Sequence, residues 1–97
     1  WVQASTGKPI RFTTGRWHTI VQKLSINAPG KKDGRLHVFF DGKSVLEINN
    51  LRFRDTDTFA IDGVFFSTFF GGGDASWATK ANETIYFDNF QITAIVF

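Results

Sequence analysis

The feature that most restricts the fold of this chain is a two-residue turn signal, Asp41-Gly42, between two runs of alternating apolar and polar residues. RLHVFF (35–40) precedes the turn and KSVLEIN (43–49) follows it. An Asp-Gly pair favours the tight type I′ turn that joins two antiparallel strands, because both residues tolerate positive φ angles. The sequence therefore predicts a β-hairpin centred on Asp41-Gly42.

The same period of two recurs along the rest of the chain, and no helical period competes with it. It predicts six strands, at residues 17–26, 35–40, 43–49, 51–54, 63–70 and 85–96. Turns rich in glycine, asparagine and aspartate separate these strands. Short strands at such intervals indicate an all-β fold, an antiparallel β-sandwich or jelly roll.

The predicted strands are too few for a complete jelly roll, which takes about eight strands in two sheets. VFFSTFF (64–70) is also apolar on both faces, which is typical of a central strand covered on each side. We therefore expect residues 1–97 to form a single domain that is an incomplete portion of a jelly roll. A further N-terminal segment or a second chain would complete it.

Charge and composition exclude several classes of protein. The formal net charge is only +2 and the basic residues are scattered, which argues against a nucleic-acid partner. The longest basic cluster, GKKDGR (30–35), is interpreted as a solvated hairpin loop. No run of 18 apolar residues is present, so we expect no membrane span. His18 and His37 lack the spacing of metal ligands, so we expect no metal site.

Three residues on two predicted strands are candidates for ligand contact. Arg52 and Arg54 are two apart on the predicted strand 51–54 and would share one face, where their guanidinium groups suit carboxylates. The alternative is a solvent-facing edge strand whose charges discourage aggregation. His37 shares a face with Phe39 and would form a sugar subsite, or else an ordinary solvated strand face.

One further motif concerns covalent modification. Asn82-Glu83-Thr84 is a sequon for N-glycosylation, with Asn82 as the acceptor. Such triplets also occur by chance, so the motif supports an extracellular location only together with other features.

Three segments taken in order carry a resemblance to a known family. They are GRWHTIVQKLSIN, DGRLHVFFDGKSVLEINNLRFR and IDGVFFSTFFGGGDASWATKANETIYFDNFQI. Their order and spacing resemble the C-terminal half of polysaccharide lyase family 14, the alginate and glucuronan lyase-like proteins, fungal members especially. The resemblance implies a jelly roll with a concave face for acidic polysaccharide, which is cleaved by β-elimination without a cofactor. It also implies that residues 1–97 are the C-terminal part of that domain.

The resemblance does not carry catalytic residues onto this chain. In the family, catalysis falls to a lysine, a Ser-x-Arg pair and a Tyr-x-Tyr pair on earlier strands. No Ser-x-Arg occurs here, and Tyr86 is the only tyrosine. The resemblance therefore implies a chain that supplies scaffold and one wall of the cleft. Trp77 follows a Gly-rich loop that borders the cleft in the family, so its indole either stacks on a sugar ring or packs over the sheet end.

Two functions follow from these features. The first is part of a secreted polysaccharide lyase-like protein that acts on polyuronates of the alginate or glucuronan type. The second is a non-catalytic carbohydrate-binding protein, a lectin, that keeps the same fold and binds an acidic or other glycan.

Overall fold

The computed structural model describes residues 9–94. Its regular structure consists of three strands and one turn of 3-10 helix: β1 Ile20–Ser25, β2 Gly34–Phe40, β3 Lys43–Leu51 and the helical turn Ala75–Trp77. The strands form one antiparallel sheet in the order β1-β2-β3. The regular structure is thus mostly β with almost no helix, as predicted, whereas the two-sheet sandwich or jelly roll stays a prediction.

The predicted hairpin joins β2 to β3. Phe40 pairs with Lys43 across the two-residue loop, and Asp41 and Gly42 have φ angles of 50° and 81°. Positive φ at both loop residues is what a type I′ turn requires. The predicted hairpin turn at Asp41-Gly42 is therefore confirmed.

The register of β2 against β3 changes at two places along the hairpin. A first change lies nearer the turn, between Val38–Leu46 and Phe39–Ser44, where Val45 is the extra residue of β3. The change at the far end falls between Gly34–Leu51 and Leu36–Ile48. Two residues of β3, Asn49 and Asn50, therefore lie opposite the single residue Arg35, and Asn50 has a φ of 59°. Such a β-bulge twists the strand locally and changes the direction of its side chains.

The pairing register divides the sheet into two faces, because directly opposed residues point to the same side. The apolar side chains of one face, called here the apolar face, are Ile20, Leu24, Leu36, Val38, Phe40, Leu46 and Ile48. The other, the polar face, carries Val21, Lys23, Ser25, Arg35, His37, Phe39, Ser44, Glu47 and Asn49. Among residues 9–94 no apolar side chain is fully buried, and Ile20 on the apolar face is 51% exposed.

Contacts divide the chain into two units, the second of which begins at Val64. Residues 64–94 contain no strand, so the predicted strands 63–70 and 85–96 are wrong over their described residues; residues 95 and 96 lie outside that range. A strand needs a hydrogen-bonded neighbour, and alternation alone does not supply one. The side chain of Phe65 is accordingly 90% exposed. The single-domain assignment of residues 1–97 stays a prediction.

A small aromatic cluster lies within the second unit. The ring of Phe66 lies edge-to-face against Phe87, at 4.7 Å between centroids, and against Phe90, at 5.2 Å. These arrangements are the ones that aromatic quadrupoles favour. The cluster therefore joins the two phenylalanine-rich segments even though neither forms a strand.

The hairpin turn is anchored to the residues just before β1. The Asp41 carboxylate accepts a hydrogen bond from the Thr19 backbone N–H (2.8 Å) and contacts the His18 ring through Nδ1 (2.7 Å). The Asp41 backbone N–H donates in turn to the Thr19 carbonyl at 2.8 Å. The hydrogen bond from His18, followed by that from Thr19, lowers the pKa of Asp41 below its usual value, because both bonds favour the carboxylate.

The His18 ring is held from several sides, and its side chain is only 6% exposed. The Nε2 atom accepts from the Thr13 backbone N–H at 2.8 Å and lies 3.1 Å from the Thr13 carbonyl, while Nδ1 lies against the Asp41 carboxylate, which accepts its proton in a hydrogen bond. The ring stacks on Phe40 at 5.0 Å and meets Phe12 edge-on at 5.4 Å. These bonds explain why β1 starts at Ile20 and not at residue 17, since residues 18 and 19 bind the turn.

The anchoring of Asp41 predicts a contribution to stability that depends on pH. Its folded pKa is depressed, so the contribution is present above the unfolded value of about 4 and is lost as the pH falls through the folded pKa. Asp41→Asn keeps a residue that tolerates the turn but removes the charge. We expect the variant to be less stable at neutral pH and to lose less stability on acidification below about pH 4.

The measurement is the free energy of unfolding in urea, followed by circular dichroism as a function of pH. Asp57→Asn is the matched control, because the exposed Asp57 side chain makes no hydrogen bond or ion pair among the described residues. Equal acid dependence of the wild-type protein and Asp41→Asn would contradict the assignment.

Candidate functional site

A row of polar side chains crosses the polar face of the sheet. Lys23 on β1, His37 on β2 and Glu47 on β3 are directly opposed. Opposed side chains in antiparallel strands lie close enough to interact and to contact one ligand together. The row therefore offers a cation, an imidazole and a carboxylate on one surface.

An aromatic ring lies beside this row. The rings of His37 and Phe39 are 4.2 Å apart between centroids, and the Lys23 Nζ lies 5.2 Å from the centre of the Phe39 ring. The His37 Nε2 forms a hydrogen bond of 2.7 Å with the Ser44 hydroxyl. The alternation thus correctly placed His37 and Phe39 on one face. A half-buried ring next to polar groups can stack on the apolar side of a sugar while its neighbours bond the hydroxyls.

An open polar hollow of about 300 Å³ lies at the end of the sheet where β2 begins. Its lining residues are Lys32, Asp33, Arg35, Glu47, Asn49 and Asn50. From the sequence we predict a solvated hairpin loop for GKKDGR (30–35) and no role for Asn49 and Asn50. The opposite placement of the asparagines and Arg35 comes from the bulge in β3, for which the sequence carries no clear signal.

Arg52 and Arg54 are not on a strand, which corrects the prediction of a strand at 51–54. β3 ends at Leu51, and the two arginines have different surroundings. Arg52 is exposed and paired with Asp55, its Nε donating to Oδ1 at 2.5 Å. Arg54 is half-buried; its Nε donates to the Asn27 carbonyl (2.9 Å) and its Nη1 to the Phe59 carbonyl (2.8 Å). The two arginines therefore do not form a joint carboxylate clamp.

Asn27 organises the backbone around Arg54 and is the only polar residue that is buried within residues 9–94. Its Nδ2 donates to the carbonyls of Ala28 (2.9 Å) and Arg54 (2.8 Å). Its Oδ1 accepts from the backbone N–H groups of Phe53 (2.6 Å) and Arg54 (3.2 Å). One side chain thus ties the loop after β1 to the segment after β3.

Trp77 belongs to the second unit and ends the 3-10 turn. Asp74 caps that turn by accepting from the Ser76 hydroxyl and from the Ser76 backbone N–H (2.8 Å). The bond from the hydroxyl, followed by that from the backbone N–H, lowers the pKa of Asp74. The indole lies directly against Gly72, where any side chain atom would overlap the ring. Trp77 is nevertheless 59% exposed, so one part of its ring packs and the rest stays open to solvent.

Asn82 also lies in the second unit and is exposed, as a glycan acceptor must be. Within residues 9–94 no group of three or more potential metal ligands comes together. The same part of the chain has no helix that is long and apolar enough to cross a membrane.

The first unit is a three-stranded antiparallel sheet with one polar face that carries an aromatic ring. The sequence matches the family model described as polysaccharide lyase 14 over residues 2–90. That match spans most of the 97 residues, so the chain belongs to the polysaccharide lyase 14 family. Membership confirms the resemblance and supports a lyase-like function in general. Comparison with curated proteins and with solved structures gave no match.

The buried position of Asn27 predicts a large effect of its removal. Asn27→Ala would leave several backbone groups without partners, and each buried polar group left unsatisfied costs about 1–3 kcal/mol. We expect the free energy of unfolding, measured by urea titration, to fall by about this amount or more. Asn49→Ala is the matched control, because Asn49 is exposed and should change stability by under about 0.5 kcal/mol. A similar loss in both variants would contradict the role given to Asn27.

Proposed function

We propose that this chain is part of a secreted polysaccharide lyase-like protein that acts on acidic polyuronates of the alginate or glucuronan type by β-elimination. The chain supplies scaffold and a glycan-contacting wall. The observation that carries this proposal is the polar face, on which Phe39 lies beside His37 and Lys23. Family membership supplies the reaction class.

β-Elimination on a uronate needs three functional groups. A cation or strong donor neutralises the C6 carboxylate, a base removes the C5 proton, and an acid protonates the departing O4. The family's Ser-x-Arg and Tyr-x-Tyr motifs do not occur in these 97 residues. We therefore assign no catalytic residue to this chain and give its cations the task of binding carboxylates.

The proposed contact residues differ in how freely they can reach a ligand. His37, Trp77 and Arg52 each leave part of the side chain accessible, and we propose that they contact the glycan. Arg54 donates to two backbone carbonyls, so its proposed contribution to binding acts through the shape of the loop. Asn82 is proposed as an N-glycan acceptor, in keeping with an extracellular location.

The apolar face of the sheet motivates a proposal about the complete fold. Side chains such as Ile20 and Leu24 are about half exposed there. Apolar surface on this scale is usually covered by another layer of structure. We propose that further strands, from an N-terminal segment of the same polypeptide or from a second chain, cover this face and complete the jelly roll.

A lectin is the second candidate function. It is favoured by one sequence observation, namely that Tyr86 is the only tyrosine and no Ser-x-Arg pair is present. A protein that keeps the polar face without those groups would bind polyuronates without cleaving them.

The test uses the natural full-length protein with glucuronan and with alginate. Binding is measured by calorimetry, and cleavage by the ultraviolet absorbance of unsaturated uronates. We expect Phe39→Leu to weaken binding by about two- to tenfold, because a stacked ring contributes roughly 0.5–1.5 kcal/mol beyond its buried area. Phe59→Leu changes an exposed phenylalanine of the first unit that lies outside the sheet; it is the control and should bind like the wild-type protein.

Each outcome separates the candidates. Binding together with new absorbance supports the lyase-like protein, and binding without absorbance supports the lectin. A wild-type protein that binds neither polyuronate would contradict both functions.

A further inference from the structure

The polar hollow at the start of β2 has no role in the function proposed so far. It holds about 300 Å³ and is formed where the bulge in β3 places Asn49 and Asn50 opposite Arg35. The loop that precedes β2 closes another side with Lys32 and Asp33. The hollow is thus built jointly by two strands and a loop of the first unit.

Most polar groups that line the hollow are unused by the protein. Within residues 9–94, five of its side chains form no hydrogen bond or ion pair: Lys32, Arg35, Glu47, Asn49 and Asn50. Asp33 differs, because its Oδ1 accepts the Ala28 backbone N–H at 2.8 Å and so fixes the loop. Donors and acceptors without a protein partner therefore line one small hollow, where they can form hydrogen bonds with a polar ligand.

The chemistry of these groups selects the class of ligand. Lys32 and Arg35 are cations, and the guanidinium fork of arginine matches a carboxylate bidentately. Glu47 only accepts hydrogen bonds when ionised, so it needs a donor such as a hydroxyl, while the amides of Asn49 and Asn50 both donate and accept. An ionised phosphate or sulfate offers no hydroxyl group to meet Glu47, whereas a uronate carries a carboxylate and hydroxyl donors together. A neutral sugar would leave both cations without a partner.

We propose that this hollow is a subsite for one uronate residue of a glycan. Arg35 and Lys32 bind the C6 carboxylate, and Glu47 and Asn49 bind ring hydroxyls. The inference rests on the proposed function, which it deepens by assigning the recognition of the acidic group to particular residues.

The position of the hollow relative to Phe39 supports an extended ligand. Arg35 and Phe39 lie on the same face of β2, four residues and therefore about 13 Å apart. His37 lies between them on the same face. A glycan that runs along β2 would thus place a uronate in the hollow and a later ring over Phe39.

The test compares two oligosaccharides that differ only at C6. The probes are β-1,4-linked tetraglucuronate and cellotetraose, and the affinity of the full-length protein for each is measured by calorimetry. We expect Arg35→Gln to weaken tetraglucuronate binding by about tenfold or more, as the loss of a charge-assisted hydrogen bond would. The same variant should leave cellotetraose binding within about twofold, because the neutral ligand has no carboxylate for Arg35.

Two further variants sharpen the assignment. Glu47→Gln should weaken the binding of both tetrasaccharides, because both carry the hydroxyls that Glu47 binds. Lys31→Gln is the control, since Lys31 neighbours Lys32 in sequence but does not line the hollow, and it should bind like the wild-type protein. Circular dichroism of each variant checks that the sheet is retained.

The outcomes distinguish this inference from the proposed function. Equal losses for both ligands in Arg35→Gln, or no loss for tetraglucuronate, would overturn the uronate subsite while wild-type binding upholds the proposed function. If the wild-type protein binds neither tetrasaccharide nor the polymers, the proposed function fails and the subsite fails with it.

Discussion

The pairing of β2 with its two neighbours is the constraint on which the rest of the first unit depends. A slip of one residue in a sheet moves every side chain to the opposite face. The Asp41-Gly42 turn fixes the register of β3 as far as Ser44, and a shift at Val45 sets it beyond that point. The bonds of Asp41 to His18 and Thr19 hold the same turn against the start of β1. The polar face depends on these local bonds together with the register shift at Val45, which places Glu47 opposite His37.

The sequence predicted those parts of the fold whose cause is local. The hairpin follows from two turn residues and the alternation around them, so it formed as expected. The segments 63–70 and 85–96 are also rich in apolar residues with a period of two. A strand forms only when a backbone neighbour is available for hydrogen bonding. None is available to them among the described residues, and the Phe66 cluster forms without a ladder. Periodicity thus reports which residues could face a core, not whether a partner strand is present.

The candidate site shows the same division. The placement of His37 beside Phe39 follows from spacing along one strand. The surroundings of Arg52 and Arg54 could not be predicted from spacing along one strand. Asn27 is 25 or more positions away in sequence, and it forms hydrogen bonds with the backbone and side chain of Arg54. The hollow around Arg35 depends on the bulge in β3 at Asn49-Asn50. The sequence carries no clear signal that predicts this bulge. Long-range contacts and bulges therefore account for what sequence reasoning missed.

The central claim is that the polar face of the sheet is the surface that contacts an acidic glycan. The most direct measurement is the set of intermolecular nuclear Overhauser effects between tetraglucuronate and the protein side chains. The account predicts contacts from sugar protons to the Phe39 ring and to the side chains of Arg35 and His37. Contacts confined to apolar-face residues such as Leu36 and Val38, with none to the polar face, would contradict it.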